Sequence, residues 1–310
     1  MSDENVEVWS GGVNTWECDE MGHMNVRFWV AKAQEGLAGL AARLGMPRAF
    51  AAEGEATLIV REQHIRFLRE AKAGAALHMT GGVIEMGETG ARLLLVIRHA
   101  SGEPAATFQL LVEHATTRDM RPFPWPARIR ERAEALRAEV PAFAAARSID
   151  LSPVEPSASL PRAVELGLTR IGLGVIGPAE CDVFGRMRPE IFIGRVSDGV
   201  GRLFGETRPG PETTGGEPPA RIGGAVLEYR VLHLAWPEPG DGVELRSGFA
   251  GCDARTRRVV HWMLDPETGA PWASAEAVVI SFDLDKRKVV DISPQAQAAF
   301  MEKCAPGLAL

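Results

Sequence analysis

The stretch "ECDEMGHM" at residues 17–24 returns as "ECDVFGRM" at 180–187, 163 residues later. Extended without a gap, residues 16–40 and 179–203 agree at 7 of 25 positions. Further on, Gly102 and Pro104 of "SGEPAATFQLLVE" fall over Gly269 and Pro271 of "TGAPWASAEAVVI", at an offset of 167. A motif repeated by chance would not carry its downstream neighbours along. Self-similarity at a nearly constant spacing means one structural unit written twice. Whatever fold the first half adopts, the second must adopt in the same order of elements. At 310 residues the chain is long for one compact domain and comfortable for two.

Each half can therefore be read once. The first opens on a strand-like stretch, "VEVWSGGVNTWECD". A helix follows in "MNVRFWVAKAQEGLAGLAARLG", where Trp29, Ala33, Leu37, Leu40 and Leu44 recur at three- and four-residue spacing. Gly45 and Pro47 stop it. The helix is apolar over much of its girth, so it is expected to be buried on more than one side. Four β-like stretches follow, "TLIVREQHIRFLR", "ALHMTGGVIEM", "ARLLLVIRHA" and "AATFQLLVEHATT", separated by turns at "KAG", "GETG" and "SGEP". The second half repeats this order with "TRIGLGVIGPAECD", the helix "RPEIFIGRVSDGVGRLFG" and four further strands.

The expected domains are 1–120 and 156–310, joined by a linker over 121–155. The prolines of "MRPFPWPARIRERAEALRAEVPAF" break the sheet, and 127–139 reads as a short surface helix. The Gly- and Pro-rich stretch 205–224 reads as a loop, either an inert insertion or a mobile flap over an entrance.

Composition narrows the class. Apolar residues make up 45% and charged residues 24%, as in ordinary soluble proteins. A net charge of −7 opposes nucleic-acid binding, which needs a basic face. Cys18, Cys181, Cys252 and Cys304 form no C-x-x-C pair, so neither zinc nor a disulfide framework is suggested. The acidic start is not a signal-peptide pattern, and no apolar run approaches a membrane span. A reducing, cytoplasmic setting is the expectation.

A strand, a long buried helix and then antiparallel strands wrapped round it resemble the hot-dog fold. The stretch D-x-x-G-H-M-N-x-x-x-W from Asp19 to Trp29 is similar to the D-x-x-G-H-x-N-x-x-Y signature of hot-dog thioesterases, the 4-hydroxybenzoyl-CoA thioesterase-like and acyl-carrier-protein thioesterase-like enzymes. "IRFLREAKAGAALHMTGGV" at 65–83 resembles their next landmark. Trp29 stands where the family often has Tyr. In the second copy Arg186 replaces the His, Arg188 replaces the Asn and Phe192 takes the aromatic place, while Asp182 is kept. The resemblance implies an α+β fold of two tandem hot-dog domains forming a pseudo-dimer. One continuous sheet would carry both helices on one side, with sites at the interface. A homodimer of such double units is a further expectation. A lone hot-dog sheet leaves an edge that needs a partner, and fusion supplies it within one chain.

On the same resemblance, the chemistry is thioester hydrolysis without metal or cofactor. Asp19 is the first candidate for general base or nucleophile; its other reading is a helix cap. The free N–H groups at a helix start can hold an oxyanion. His23 polarises the carbonyl or orients water, or is simply a bonded turn residue. Asn25 donates to the thioester oxygen or caps the helix. Gly22 allows a tight turn close to substrate. Trp29, like Trp16, is first a core residue and second a lining of an acyl pocket. Asp182 is a remnant of a second site. Arg186 and Arg188 cannot act as bases; they either tie Asp182 down or hold coenzyme A phosphates. Among the other histidines, His64, His78, His99, His114, His233 and His261 read as structural. Glu70 and Thr80 lie where they could point toward a partner's pocket. The substrate expected is acyl-CoA ahead of acyl-carrier protein, because an acidic surface does not favour an acidic carrier. A hot-dog dehydratase or hydratase and a non-catalytic acyl-CoA-binding protein are the alternatives; the frame expected of the former, G-D-x-N-P-x-H, is absent.

Overall fold

The computed structural model describes residues 6–204, 222–283, 285–286 and 288–310. Each half opens on an edge strand, β1 (Val6–Gly12) or β6 (Thr169–Val175). A single 3-10 turn follows, Thr15–Glu17 or Pro178–Glu180. Then comes the main helix of the half, α1 (Val26–Arg43) or α4 (Pro189–Gly199). The first half continues with β2 (Ala56–Phe67), β3 (Ala76–Met86), β4 (Gly90–His99) and β5 (Pro104–Thr116). The second continues with β7 (Ile222–His233), β8 (Gly242–Cys252), β9 (Thr256–Leu264) and β10 (Pro271–Asp283). Between β5 and β6 lie α2 (Ala127–Ala135) and α3 (Leu160–Glu165). The short α5 (Gly201–Phe204) follows α4, and β11 (Lys288–Val290) and α6 (Pro294–Glu302) come last.

All ten long strands join in one antiparallel sheet, ordered β1-β3-β4-β5-β2-β7-β10-β9-β8-β6, with β11 added to β10. The order on one side of the β2–β7 seam is mirrored on the other. At the seam Glu62 to Arg66 run opposite Leu232 to Glu228, with His64 facing Arg230. The edge that each half would expose is thereby paired. Helix α1 buries Trp29, Val30, Ala33, Leu37 and Leu40, and α4 buries Ile191, Phe192, Ile193 and Val196, within a single apolar cluster. At roughly 1.5–3 kcal/mol for each large side chain removed from water, this shared core couples the halves.

The segment between the halves crosses the outer face of the sheet. Ala138 and Ala144 cover Leu94 and Val96. Arg66 donates to the carbonyls of Phe143 and Ala145. Glu228 accepts the backbone N–H groups of Arg147 and Ser148, both at 2.9 Å, and lies 2.8 Å from His64 Nε2. Arg230 donates to the Asp150 carbonyl and to Glu62. The crossing strap thus explains a buried, charged stripe along the seam, since buried charges persist only when paired and hydrogen-bonded.

Several local expectations change. The opening strand ends at Gly12, and the following turn leaves Trp16 76% exposed rather than in the core. The helix read across 188–205 breaks at Val200 into α4 and α5, and residue 205 lies outside the described residues. The linker helix ends at Ala135 and buries Ile129 and Ala133. Of the loop read at 205–224, residues 205–221 lie outside the described residues and 222–224 open β7.

Candidate active site

The two E-C-D corners are built alike. The glutamate that begins each motif ties the 3-10 turn to the helix beyond. Glu17 accepts the Asn14 N–H at 2.7 Å and pairs with Lys32 at 2.8 Å. Glu180 accepts the Gly177 N–H at 2.9 Å and pairs with Arg195 at 2.7 Å. The aspartate two residues later closes a tight turn. Asp19 Oδ1 accepts the N–H groups of Met21 (2.9 Å) and His23 (3.2 Å). Asp182 Oδ1 accepts those of Phe184 (2.9 Å) and Arg186 (3.1 Å). Each turn needs a left-handed residue, supplied by Gly22 (φ 77°) and Gly185 (φ 79°). Gly22 is exposed, and nothing lies within 4 Å of where a Cβ would stand.

The corners part at the other carboxylate oxygen. Asp182 Oδ2 receives Arg186 Nε at 3.0 Å and Nη2 at 2.7 Å. The guanidinium is almost fully buried, lying over the Phe184 ring at 5.0 Å and the Trp236 ring at 5.9 Å. Its Nη1 reaches Met120 Sδ, from the first half. At the first corner, His23 is also buried, but its Nε2 lies 3.2 Å from Glu70 Oε2. Among the described residues, no hydrogen bond or ion pair engages Asp19 Oδ2. The same turn thus presents an open carboxylate oxygen in one half and a clasped one in the other.

Asn25 caps α1, its Oδ1 accepting from Arg27 N at 2.9 Å. Its Nδ2 donates to Ser197 Oγ on α4 at 3.0 Å, so the other half braces this corner. At the equivalent place Arg188 makes no side-chain cap. It turns instead to the Ala179 carbonyl (2.8 Å) and to Glu190 (3.2 Å), not to Asp182. Burial pushes the Glu190 carboxyl above its ordinary range, with Arg188 and Arg27 opposing. Trp29 is 4% exposed, donates to the Met24 carbonyl at 3.1 Å and meets the Phe67 ring edge-on. That placement leaves little of it for a ligand. A cavity of about 370 Å³ beside the second corner is lined by Phe50, Cys181, Asp182, Val183, Phe184 and Arg188.

The structure therefore brings Asp19, Gly22, His23 and Asn25 together, and separately Asp182, Arg186 and Arg188. Glu70 gains a defined partner in His23; its place in the turn after β2 was its only signal. Ser197 carried none, because its role depends on how α4 lies against α1.

A large antiparallel sheet with a long helix after the first strand of each half is the architecture of the hot-dog fold. The chain belongs to the thioesterase-like superfamily, whose family model matches twice, over residues 13–133 and 176–300. No curated protein matches it in sequence. Its fold is similar to that of a Lactobacillus plantarum protein assigned as an oleoyl thioesterase (TM-score 0.66, 11% identity, covering 90% of this chain and 97% of that one). It is also similar to the 12:0-ACP thioesterase from Umbellularia californica (0.63, 13%, covering 88% and 93%). An acyl-ACP thioesterase from Bacteroides thetaiotaomicron is alike as well (0.63, 10%, covering 90% and 100%). These similarities span both halves of the chain. Among the described residues no helix is long and apolar enough to cross a membrane.

Proposed function

We propose that the protein hydrolyses an acyl-CoA thioester to free acid and CoA at the Asp19 corner. The observation that carries this reading is the unequal use of two matching aspartates. Asp19 spends one oxygen on its own turn and keeps Oδ2 open, whereas Arg186 occupies the same atom of Asp182. A carboxylate can take a proton from water or attack the carbonyl only through a free lone pair. His23, oriented by Glu70, is placed to polarise the carbonyl or align water. Asn25 holds the start of α1 against α4, where backbone N–H groups at a helix start suit an oxyanion. The thiolate leaves without a strong general acid.

The halves, with domains at 1–120 and 156–310 and a linker at 121–155, stand to each other as the two subunits of a hot-dog dimer. The mirrored strand order and the Asn25–Ser197 contact support this. In this reading the second corner is structural. Acyl-CoA is favoured over acyl-carrier protein because the net charge is −7 and such carriers are acidic. A thiol-release assay on parallel series of acyl-CoA and acyl-carrier-protein substrates tests the reading. Turnover of acyl-CoA at higher kcat/KM supports it. Preference for the carrier would overturn the substrate assignment, and binding without turnover of either would overturn the hydrolase assignment.

A further inference from the structure

The repeat supplies an internal control for the second corner. Glu20, Met21 and Asn25 of the first corner stand where the second has Val183, Phe184 and Arg188. An acid is replaced by an apolar residue, a methionine by an aromatic ring and an amide by a cation. All three replacements line the cavity of about 370 Å³ at that corner, and Phe50 reaches it from the first half, just beyond α1. Val183 is 58% exposed, so apolar surface faces water where the first corner carries a carboxylate. Asp182 adds no free charge to the cavity, because Arg186 holds its Oδ2 at 2.7 Å. Exposed apolar surface beside a single polar anchor is what a ligand cleft presents.

The anchor is Arg188, a cation that its surroundings neutralise only in part. Nη2 donates to the Ala179 carbonyl at 2.8 Å, and Nη1 lies 3.2 Å from Glu190 Oε1. A guanidinium carries five N–H donors, so these two contacts leave others free. The Arg188 side chain is 41% exposed, which gives a ligand access to them. Its pairing with Glu190 is incomplete. Among the described residues Glu190 Oε2 is buried without a hydrogen-bond partner, and burial favours the neutral form of that carboxyl. Nor does the Arg188 side chain cap α4, the task that Asn25 performs on α1. An arginine that caps no helix and clasps no aspartate is available to an anion.

We propose that the cavity at the clasped corner binds a single-chain carboxylate, a free fatty acid of medium length. The carboxylate meets the Arg188 guanidinium, and the chain lies along Val183, Phe184 and Phe50. The volume stands at the small end of ligand pockets, which suits a chain of about eight to twelve carbons. No chemistry is asked of the corner, and the Asp182–Arg186 clasp stays structural throughout. The site is separate from the Asp19 corner and draws its walls from both halves.

Isothermal titration calorimetry on the full chain tests it with octanoate and decanoate, beside the alcohol and the ammonium of matching length. Each carboxylate is expected to bind at least about fivefold more tightly than its alcohol, with the advantage shrinking as salt is raised; the ammonium should not bind. Arg188→Asn copies Asn25 and places a favourable cap residue at the start of α4, so the variant is built to fold. It should bring the carboxylate down to the affinity of the alcohol. Val183→Glu with Phe184→Met copies the wall of the first corner and should weaken carboxylate and alcohol alike by at least about fivefold. Failure of the wild type to bind either carboxylate overturns the proposal. So does a carboxylate preference that survives Arg188→Asn, the result expected if the acid sits at the Asp19 corner instead, or a wall variant that binds the alcohol as the wild type does. Because the readout is binding, the outcome is independent of whether Asp19 hydrolyses a thioester.

Discussion

Asp19→Asn separates the two tasks of one side chain. Oδ1 holds the turn through the N–H groups of Met21 and His23, and an amide oxygen can still accept both. Only the open Oδ2 becomes an NH2 group, which has no lone pair for a proton or a carbonyl carbon. The expected loss of stability is under about 1 kcal/mol, against about 1–2 kcal/mol for Asp19→Ala, which removes the acceptor altogether. Activity should fall by at least about a hundredfold in both, the usual scale for a lost general base. Asp182→Asn should do the reverse. It weakens a two-point contact with a buried guanidinium, costing about 1–3 kcal/mol, and leaves turnover near the wild-type rate. Thiol release measured at saturating acyl-CoA, beside urea denaturation of the same preparations, reads both quantities. An Asp19→Asn enzyme retaining most of its activity, or a folded Asp182→Asn enzyme lacking it, would refute the division of labour.

Two further outcomes follow from the geometry. His23→Arg should rebuild at the first corner the clasp seen at the second, lowering kcat by at least about a hundredfold without loss of stability; steady-state kinetics with thermal melting checks this, and a fully active variant would show that Oδ2 need not be open. Glu228 is buried, which alone would raise its carboxyl, but hydrogen bonds from His64 and the N–H groups of Arg147 and Ser148 outweigh burial and hold it below the usual range. A depressed carboxylate contributes stability above its unfolded pKa of about 4.5 that is lost as pH falls through the lower folded value. Denaturation midpoints followed from pH 7 downwards should therefore decline less steeply below about pH 4.5 in Glu228→Gln than in the wild type, and parallel curves would count against this role.

The repeated E-C-D-x-x-G-x-M stretch was enough to establish two copies of one unit, the strand–helix–four-strand order, and a first corner unlike the second. Those features are local: a tight turn needs its glycine, a helix its spacing, and a repeat preserves both. Asp19, His23 and Asn25 were legible for the same reason, being neighbours in sequence as well as in space. The exposure of Trp16 was not, because one turn after Gly12 swings that side chain away from the core. Nor was the pairing of His23 with Glu70 or of Asn25 with Ser197. Those contacts depend on how a helix or strand lies against a segment far away in sequence, and residue spacing alone does not encode that. The sequence by itself determined what each half is. The seam at β2–β7, the strap over its charged stripe, and the difference between an open and a clasped aspartate were decided by tertiary structure, where burial forces every charge and donor to find a partner.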